Sequence, residues 1–343
     1  MKVVKVEDAV GQILCHDMTQ IIPGEYKGAR FKKGHILQEE DIPVLKSMGK
    51  NTIYILERKE GLLHEDEAAT RLAKLCLNDH MESSQEIKEG KVEIFASCNG
   101  VFKVDVRRLL KANGYNEMAI ATRHTNTAVK KGDCLAGMRV IPLVIEEEKI
   151  KDVETLVGPE PLFEILPYKI KKAALIVTGT EVASGLIQDK FSPILYKKLA
   201  PYDVEFIYTD KVTDDKEKIT ASIKKAKETG AEILFLTGGM SVDPDDRTPA
   251  AISESGAEIV TYGSPIFPGA MLLLGYFDDG VPVMGLPGCV MYEKATAFDV
   301  VLPRILAGET LVKEDIAMLG HGGLCLRCDT CHYPICPFGK EGL

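Results

Sequence analysis

The stretch Ala231–Pro249, AEILFLTGGMSVDPDDRTP, decides how this chain is read. The unbroken apolar run Ile233 to Leu236 reads as a strand buried on both faces, ending on Thr237. Gly238 and Gly239 then break the strand, because without a Cβ the backbone can bend sharply and approach a ligand. Beyond an acidic loop a helix starts near Thr248 and Pro249. Proline fits a first helical turn, where its missing N–H would be unpaired anyway, and Thr248 or Asp246 can cap. A strand end followed by free N–H groups and a positive helix end suits an anionic ligand. Ser241, Asp243, Asp245 and Asp246 lie inside that cradle. Acidic side chains beside an anion make sense with a divalent cation between them, the alternative being that they cap the helix and solvate a turn.

Working outward, two other loops look alike. Thr178-Gly179-Thr180-Glu181 follows the apolar run AALIV, and Gly285-Leu286-Pro287-Gly288-Cys289 grows out of VPVM. From Ala173 onward such runs alternate with amphipathic helices. One over SPILYKKLA has Pro193 in its first turn. Another, opened by Asp214 and Asp215, carries Ile219, Ile223 and Ala226 and is stopped by Gly230. The last runs from about Tyr292 to Leu306. This alternation predicts a mostly parallel sheet covered on both faces, with ligands bound outside the carboxyl ends of its strands. Three loops of one chemistry at those ends point to a phosphate-bearing ligand, and none matches the P-loop or dinucleotide fingerprints.

Composition narrows the classes. A chain of 343 residues with 45% apolar content is long enough for two or three domains with their own cores. A net charge of −9 excludes a general basic footprint for nucleic acid or anionic membrane. MKVVKVEDAV holds no apolar run that would serve as a signal peptide, and no later run approaches a membrane span, so the expectation is a cytoplasmic protein. Of nine cysteines, four crowd the last twenty residues: Cys325, Cys328, Cys331 and Cys336, spaced C-x2-C-x2-C-x4-C-P, with His332 as a further ligand candidate. That distribution favours a metal in a reducing compartment over disulfides, and the triplet followed by Cys-Pro favours iron–sulfur over zinc.

The expected organisation is a small mixed α/β subdomain at 1–60, with a helix over about Glu39 to Met48. A helix plus β-rich domain at 61–145 follows, then a charged, proline-bearing linker at 146–172. The α/β domain spans 173–308, and a Cys-rich tail at 320–343 moves freely on a linker from about Gly308 to Gly320. Within 61–145 the Asn99-Gly100 pair predicts a hairpin between Val92–Ala96 and the run from Phe102. His64, Arg123 and His124 read as satisfied or surface polar residues.

These motifs together carry a resemblance. T-G-T-E after the first strand, Asp214-Asp215, TGGMS after the central strand and LPG before the last helix resemble the molybdopterin-binding domain. That domain is shared by molybdopterin adenylyltransferases, molybdopterin molybdotransferases and the competence-damage protein family. The upstream segment KKGHILQEEDIPVLKSMG resembles one found in the molybdotransferases, and VDPDDRTP is closer to the competence-damage type. The resemblance implies a three-layer αβα fold that holds molybdopterin, or its adenylylated form. Its cofactor-binding residues would be Thr178, Gly179, Thr180, Glu181, Asp214, Thr237, Gly238, Gly239, Ser241, Leu286, Pro287 and Gly288. Asp243, Asp245 and Asp246 would be catalytic, with Mg²⁺ on Asp243 and Asp246. It further implies a homo-oligomer acting in molybdenum-cofactor maturation by promoting molybdate insertion. The alternatives are a non-catalytic carrier or sensor that delivers cofactor to a molybdoenzyme, and a pyrophosphatase of the competence-damage type.

Overall fold

The structure is a computed structural model that describes residues 2–55, 60–115, 117–241, 243 and 246–340. It divides into two compact units, one of residues 1–98, 104–123 and 131–165, the other of residues 99–103, 124–130 and 166–343. Among the described residues no helix is long and apolar enough to cross a membrane.

The second unit is organised by a six-stranded sheet. Its strands stand in the order Glu205–Val212, Lys172–Thr178, Ile233–Thr237, Pro282–Leu286, Leu273–Tyr276 and Glu258–Tyr262. The first four run parallel, and Leu273–Tyr276 runs antiparallel to both of its neighbours. The expected mostly parallel sheet is therefore present, with one reversed strand. Side chains alternate between two covered faces. Leu175, Val177, Phe235 and Leu286 pack with Phe191, Leu195, Leu199 and the helix Ala297–Leu306. Ile176, Leu234, Leu236 and Val283 pack with Ile219, Ile223 and Ala226 of helix Lys216–Glu228 and with Ala251 and Ile252 of helix Thr248–Glu254. Strands buried on both faces explain the unbroken apolar runs, and the result is the three-layer αβα domain.

Two expectations about this unit change. The last helix begins at Ala297, not near Tyr292, because the Asp299 carboxylate accepts from both the amide (2.8 Å) and hydroxyl (3.0 Å) of Thr296 and fixes the start there. The tail does not swing on a linker. Residues Lys313–Met318 are helical, and Leu311, Ile316, Leu319 and Phe338 are buried in the core under helix Ala297–Leu306. Their apolar spacing supplies the docking face that a free linker would lack.

In the first unit, strands Lys2–Lys5 and Thr52–Ile55 pair antiparallel, and a hairpin joins Met18–Ile22 to Tyr26–Phe31. With the helix Asp41–Ser47 they enclose Val6, Leu14, Leu37 and Leu45. A four-stranded antiparallel sheet follows, ordered Met81–Ser83, Val92–Ala96, Cys134–Val140 and Met118–Thr122. Helix Glu65–Cys76 buries Ala68, Ala69, Leu72 and Ala73. The expected Asn99-Gly100 hairpin does not form. Neither residue takes the positive φ that such a turn needs, and Gly100–Val104 pairs instead with Thr127–Val129 in the second unit. Val101 and Phe102 are both fully buried, so this strand needs cover on two faces, which a hairpin with one solvated side does not give.

Residues 146–172 are likewise not a plain linker. Glu147–Val157 is a helix burying Ile150, Val153 and Val157, and Phe163–Pro167 is a strand. Arg71 fixes that helix by pairing with Glu154 through Nε (2.8 Å) and Nη2 (2.5 Å) and with Glu147 (3.0 Å). The polar residues singled out here are structural. His64 accepts the Asp66 amide at the start of helix Glu65–Cys76 and donates to Cys15 O, and Arg123 pairs with Asp133 at 3.0 Å. His124 is on the surface, near Thr125 O.

Candidate functional site

The ends of three neighbouring parallel strands lie in one row. Val177 is in register with Thr237, and Thr237 with Leu286. At about 4.8 Å per strand, the three loops that follow start within about 10 Å of one another. On the outer side Thr178 is in register with Val212, so Asp214 enters the same end of the sheet. The chain passes from the first strand outward to Glu205–Val212 and then returns across it to Ile233–Thr237. Those two central strand ends therefore flank the reversal of strand order where α/β sheets bind ligands.

The first loop is tied to Asp214, whose Oδ2 accepts from the Thr180 amide (2.8 Å) and hydroxyl (3.1 Å). Thr180 N–H is thus engaged by a carboxylate. Glu181 lies in the short helical turn Thr180–Ala183 and is exposed.

The central loop is held by hydroxyls. Thr248 Oγ1 donates to Gly238 O at 2.9 Å and lies 3.2 Å from Thr178 Oγ1. With the one Thr248 proton used on the carbonyl, Thr178 is the donor in that second contact. Thr248 is fully buried, and it does this instead of capping. Arg247 occupies the cap position, and neither Thr248 nor Asp246 makes a side-chain cap bond to the helix. Tyr262, which the sequence reading missed, donates to Ser241 O (2.9 Å) and Met240 O (3.2 Å) and pins the loop to the sheet edge. Burial, followed by the Asp246 charge, pushes its phenol pKa up, so it stays a donor at neutral pH. Tyr262→Phe removes both bonds and is expected to cost about 1 kcal/mol in urea unfolding. An unchanged midpoint would mean that the loop holds itself.

The glycines divide into two kinds. Gly238 (φ +89°) and Gly239 (φ +54°) are left-handed, and Cβ atoms there would fall 2.2 Å from Thr178 O and 2.8 Å from Thr248 Oγ1. Protein atoms and the left-handed backbone therefore require glycine at both positions, in keeping with the sharp bend expected there. Gly179 (φ +140°) is also held by its backbone conformation. Gly288 differs: it has no left-handed φ, it is exposed, and a Cβ there would meet nothing within 4 Å. Neither the fold nor local packing demands a glycine at that position.

At the middle of the row sits Thr237, only 1% exposed, whose Oγ1 has no hydrogen-bond partner among the described residues. Leu286 and Pro287 are buried beside it, and Ser241 is exposed. Cys289 lies half-buried in the third loop. Burial raises its thiol pKa, which keeps it a thiol and a poor nucleophile.

In the acidic segment the Asp243 amide donates to Asp246 Oδ2 (3.1 Å), and the Asp246 amide donates to Asp243 O (2.9 Å). The two residues close a turn on themselves. Asp245 lies outside the described residues. Among the described residues no three His, Cys, Asp or Glu side chains converge on a single ion position, whether at Asp243 and Asp246 or at the tail cysteines. Asp189, after the first loop, accepts from the Phe191 and Ser192 amides and the Ser192 hydroxyl. Burial works to raise its pKa, and these bonds outweigh it and lower the value, so Asp189 serves as an ionised helix anchor.

Residues 174–307 match the family described as "Probable molybdopterin binding domain", and residues 3–57 match a "Domain of unknown function (DUF8806)". The chain is 34% identical over 96 residues to a CinA-like protein of Petrotoga mobilis, covering 28% of this chain and 24% of that one. It is 27% identical over 169 residues to a molybdopterin molybdenumtransferase of Synechococcus elongatus, covering 46% of this chain and 40% of the relative. The chain thus spans well under half the length of these curated relatives. A tungsten cofactor synthesizing protein MoaB from Pyrococcus furiosus aligns at 22% identity and a TM-score of 0.31, over 36% of this chain and 84% of that one. With three loops in register at one sheet end, residues 174–307 carry the match to the molybdopterin-binding domain family, and the chain is similar in part to CinA-like and molybdenum-cofactor biosynthesis proteins.

Proposed function

We propose that this domain binds molybdopterin, or its adenylylated form, at the three aligned loops and promotes metal-dependent insertion of molybdate. The observation that carries the reading is the buried, unpartnered Thr237 hydroxyl at the centre of the row. An unsatisfied buried polar group costs about 1–3 kcal/mol, and a ligand oxygen would relieve that cost. Gly288 supports the same reading, since an exposed glycine with open space and ordinary backbone fits a position where a ligand approaches the chain.

In this reading Thr237 and the amides from Gly238 to Ser241 orient the phosphate. Asp214 holds the first loop in place, and Leu286 and Pro287 keep water from the inner wall. Asp243 and Asp246 would hold Mg²⁺. They supply the hard oxygen donors it takes, and no hydrogen bond engages Asp246 Oδ1 among the described residues. When bound, the ion would supply charge neutralisation on phosphoryl oxygens. Self-association and a recipient molybdoenzyme belong to the same proposal.

The test is incubation of the purified chain with adenylylated molybdopterin and Mg²⁺, with and without molybdate. AMP release that depends on molybdate is the expected result. Molybdate-independent cleavage replaces the reading with a pyrophosphatase, and tight binding without turnover replaces it with a carrier. Gly288→Val is expected to weaken pterin binding at least tenfold, about 1.4 kcal/mol, while changing stability by less than about 0.5 kcal/mol. Unchanged affinity in titration calorimetry would remove the third loop from the site.

A further inference from the structure

The Cys tail is the motif that pterin binding does not absorb, and the structure gives it a shape. Gly339 N–H donates to Gly322 O at 3.0 Å, and a Cβ on Gly322 would fall 2.3 Å from Lys340 O, so the loop from 322 to 339 is closed at its neck. Two bonds fasten it to the domain edge: Phe267 N–H donates to Gly323 O and Cys325 N–H to Phe267 O, each at 2.8 Å. Tyr333 donates to Asp299 O at 2.8 Å, and Phe338 is 4% exposed. Against this loop lies a cavity of about 330 Å³ whose lining includes Cys325, Cys328, Cys331 and Cys336. Its other wall is Tyr292–Ala295, which begins four residues after Gly288 of the third loop.

We propose that this cavity holds an iron–sulfur cluster ligated by Cys325, Cys328, Cys331 and Cys336. All four are free thiols, and no other residue type in the loop contributes so many soft donors. The choice of cluster over zinc follows from shape. Zinc draws its ligands to about 2.3 Å around one atom, whereas a cluster offers a separate iron to each cysteine. Here the four cysteines are among the residues lining a space far larger than one ion, and their C-x2-C-x2-C-x4-C-P spacing is nearer the ferredoxin run than the paired spacing of zinc sites. Cys325 and Cys336 are half-buried against the core, and Cys328 and Cys331 are exposed, so the inner pair is placed by the fold and the outer pair is able to close over the cluster. The last gap has one residue more than the ferredoxin run. A turn takes up the excess, with Ile335 N–H donating to His332 O at 2.7 Å between Cys331 and Cys336.

The test uses the full chain, purified without oxygen or reconstituted with ferrous iron and sulfide. The expected result is about four iron and four sulfide per chain, with broad visible absorption that bleaches on reduction. The double variant Cys328→Ala, Cys331→Ala changes exposed side chains only and is expected to lose the iron, the sulfide and the absorption. Its thermal unfolding should match that of the metal-free wild type, which separates loss of ligands from loss of fold. One zinc per chain without sulfide would overturn the proposal, as would no metal under either condition. Iron retained by the double variant would overturn it too. None of these outcomes depends on pterin binding, so failure here and failure of the pterin site are distinguishable.

Discussion

Gly238→Ala is expected to destabilise the protein by about 3 kcal/mol or more, the largest effect of any single methyl group in the site. The φ of +89° strains any L side chain, and the added Cβ would lie 2.2 Å from Thr178 O and 2.7 Å from Thr178 Oγ1. Thr178 cannot retreat. It ends the Lys172–Thr178 strand, in register with Val212 on one side and directly after the Val177–Thr237 pair on the other. The clash must therefore move the central loop, and with it Thr248 Oγ1, which donates to Gly238 O. Urea unfolding of the variant should show a lower midpoint with an unchanged slope. A shift below about 0.5 kcal/mol would show that the loop is free to take another path, and would weaken the argument that it is a fixed cradle.

Removing residues from Gly320 onward is expected to cost about 2–5 kcal/mol, because it strips the buried Phe338 and the half-buried Tyr333 from the core, full burial of such a side chain being worth about 1.5–3 kcal/mol. It also removes the Phe267 bridge and leaves Val300 and the helix Ala297–Leu306 uncovered where Gly339 now lies against Val300. The sequence alone leads to the opposite expectation, a domain indifferent to loss of its tail. Calorimetry of the truncated and full chains decides between them, and equal melting temperatures would return the tail to the status of an appendage. Tyr333→Phe separates the causes, since it deletes the bond to Asp299 O and keeps the ring packing.

How much could be read in advance depended on whether the chemistry was local. Ile233–Thr237 and Lys172–Thr178 announce themselves as buried parallel strands because sheets covered on both faces tolerate no polar alternation. Asp215 as the cap of helix Lys216–Glu228 is equally local: its carboxylate reaches the Lys218 amide three residues on, at 3.0 Å. The two errors with the widest consequences, at Asn99-Gly100 and at residues 146–172, share another cause. A turn signal and a run of charge are short-range preferences, and burial of Val101 and Phe102 in one place and of Ile150 and Val153 in the other outweighed them.

By itself the sequence determined the layer architecture, the position of three glycine-bearing loops at strand ends and the four tail cysteines. Each of these follows from periodicity or spacing along the chain. Only the tertiary structure decided what those residues meet. It aligned Val177, Thr237 and Leu286 in one row and left the Thr237 hydroxyl without a partner. It brought Tyr262 onto the central loop and turned Asp214 toward Thr180. It also separated Gly238 and Gly239, which the fold requires, from Gly288, which it does not, and folded the tail back onto the core. Register between strands and contacts across tens of residues are set by packing the whole core at once, and no local pattern encodes them.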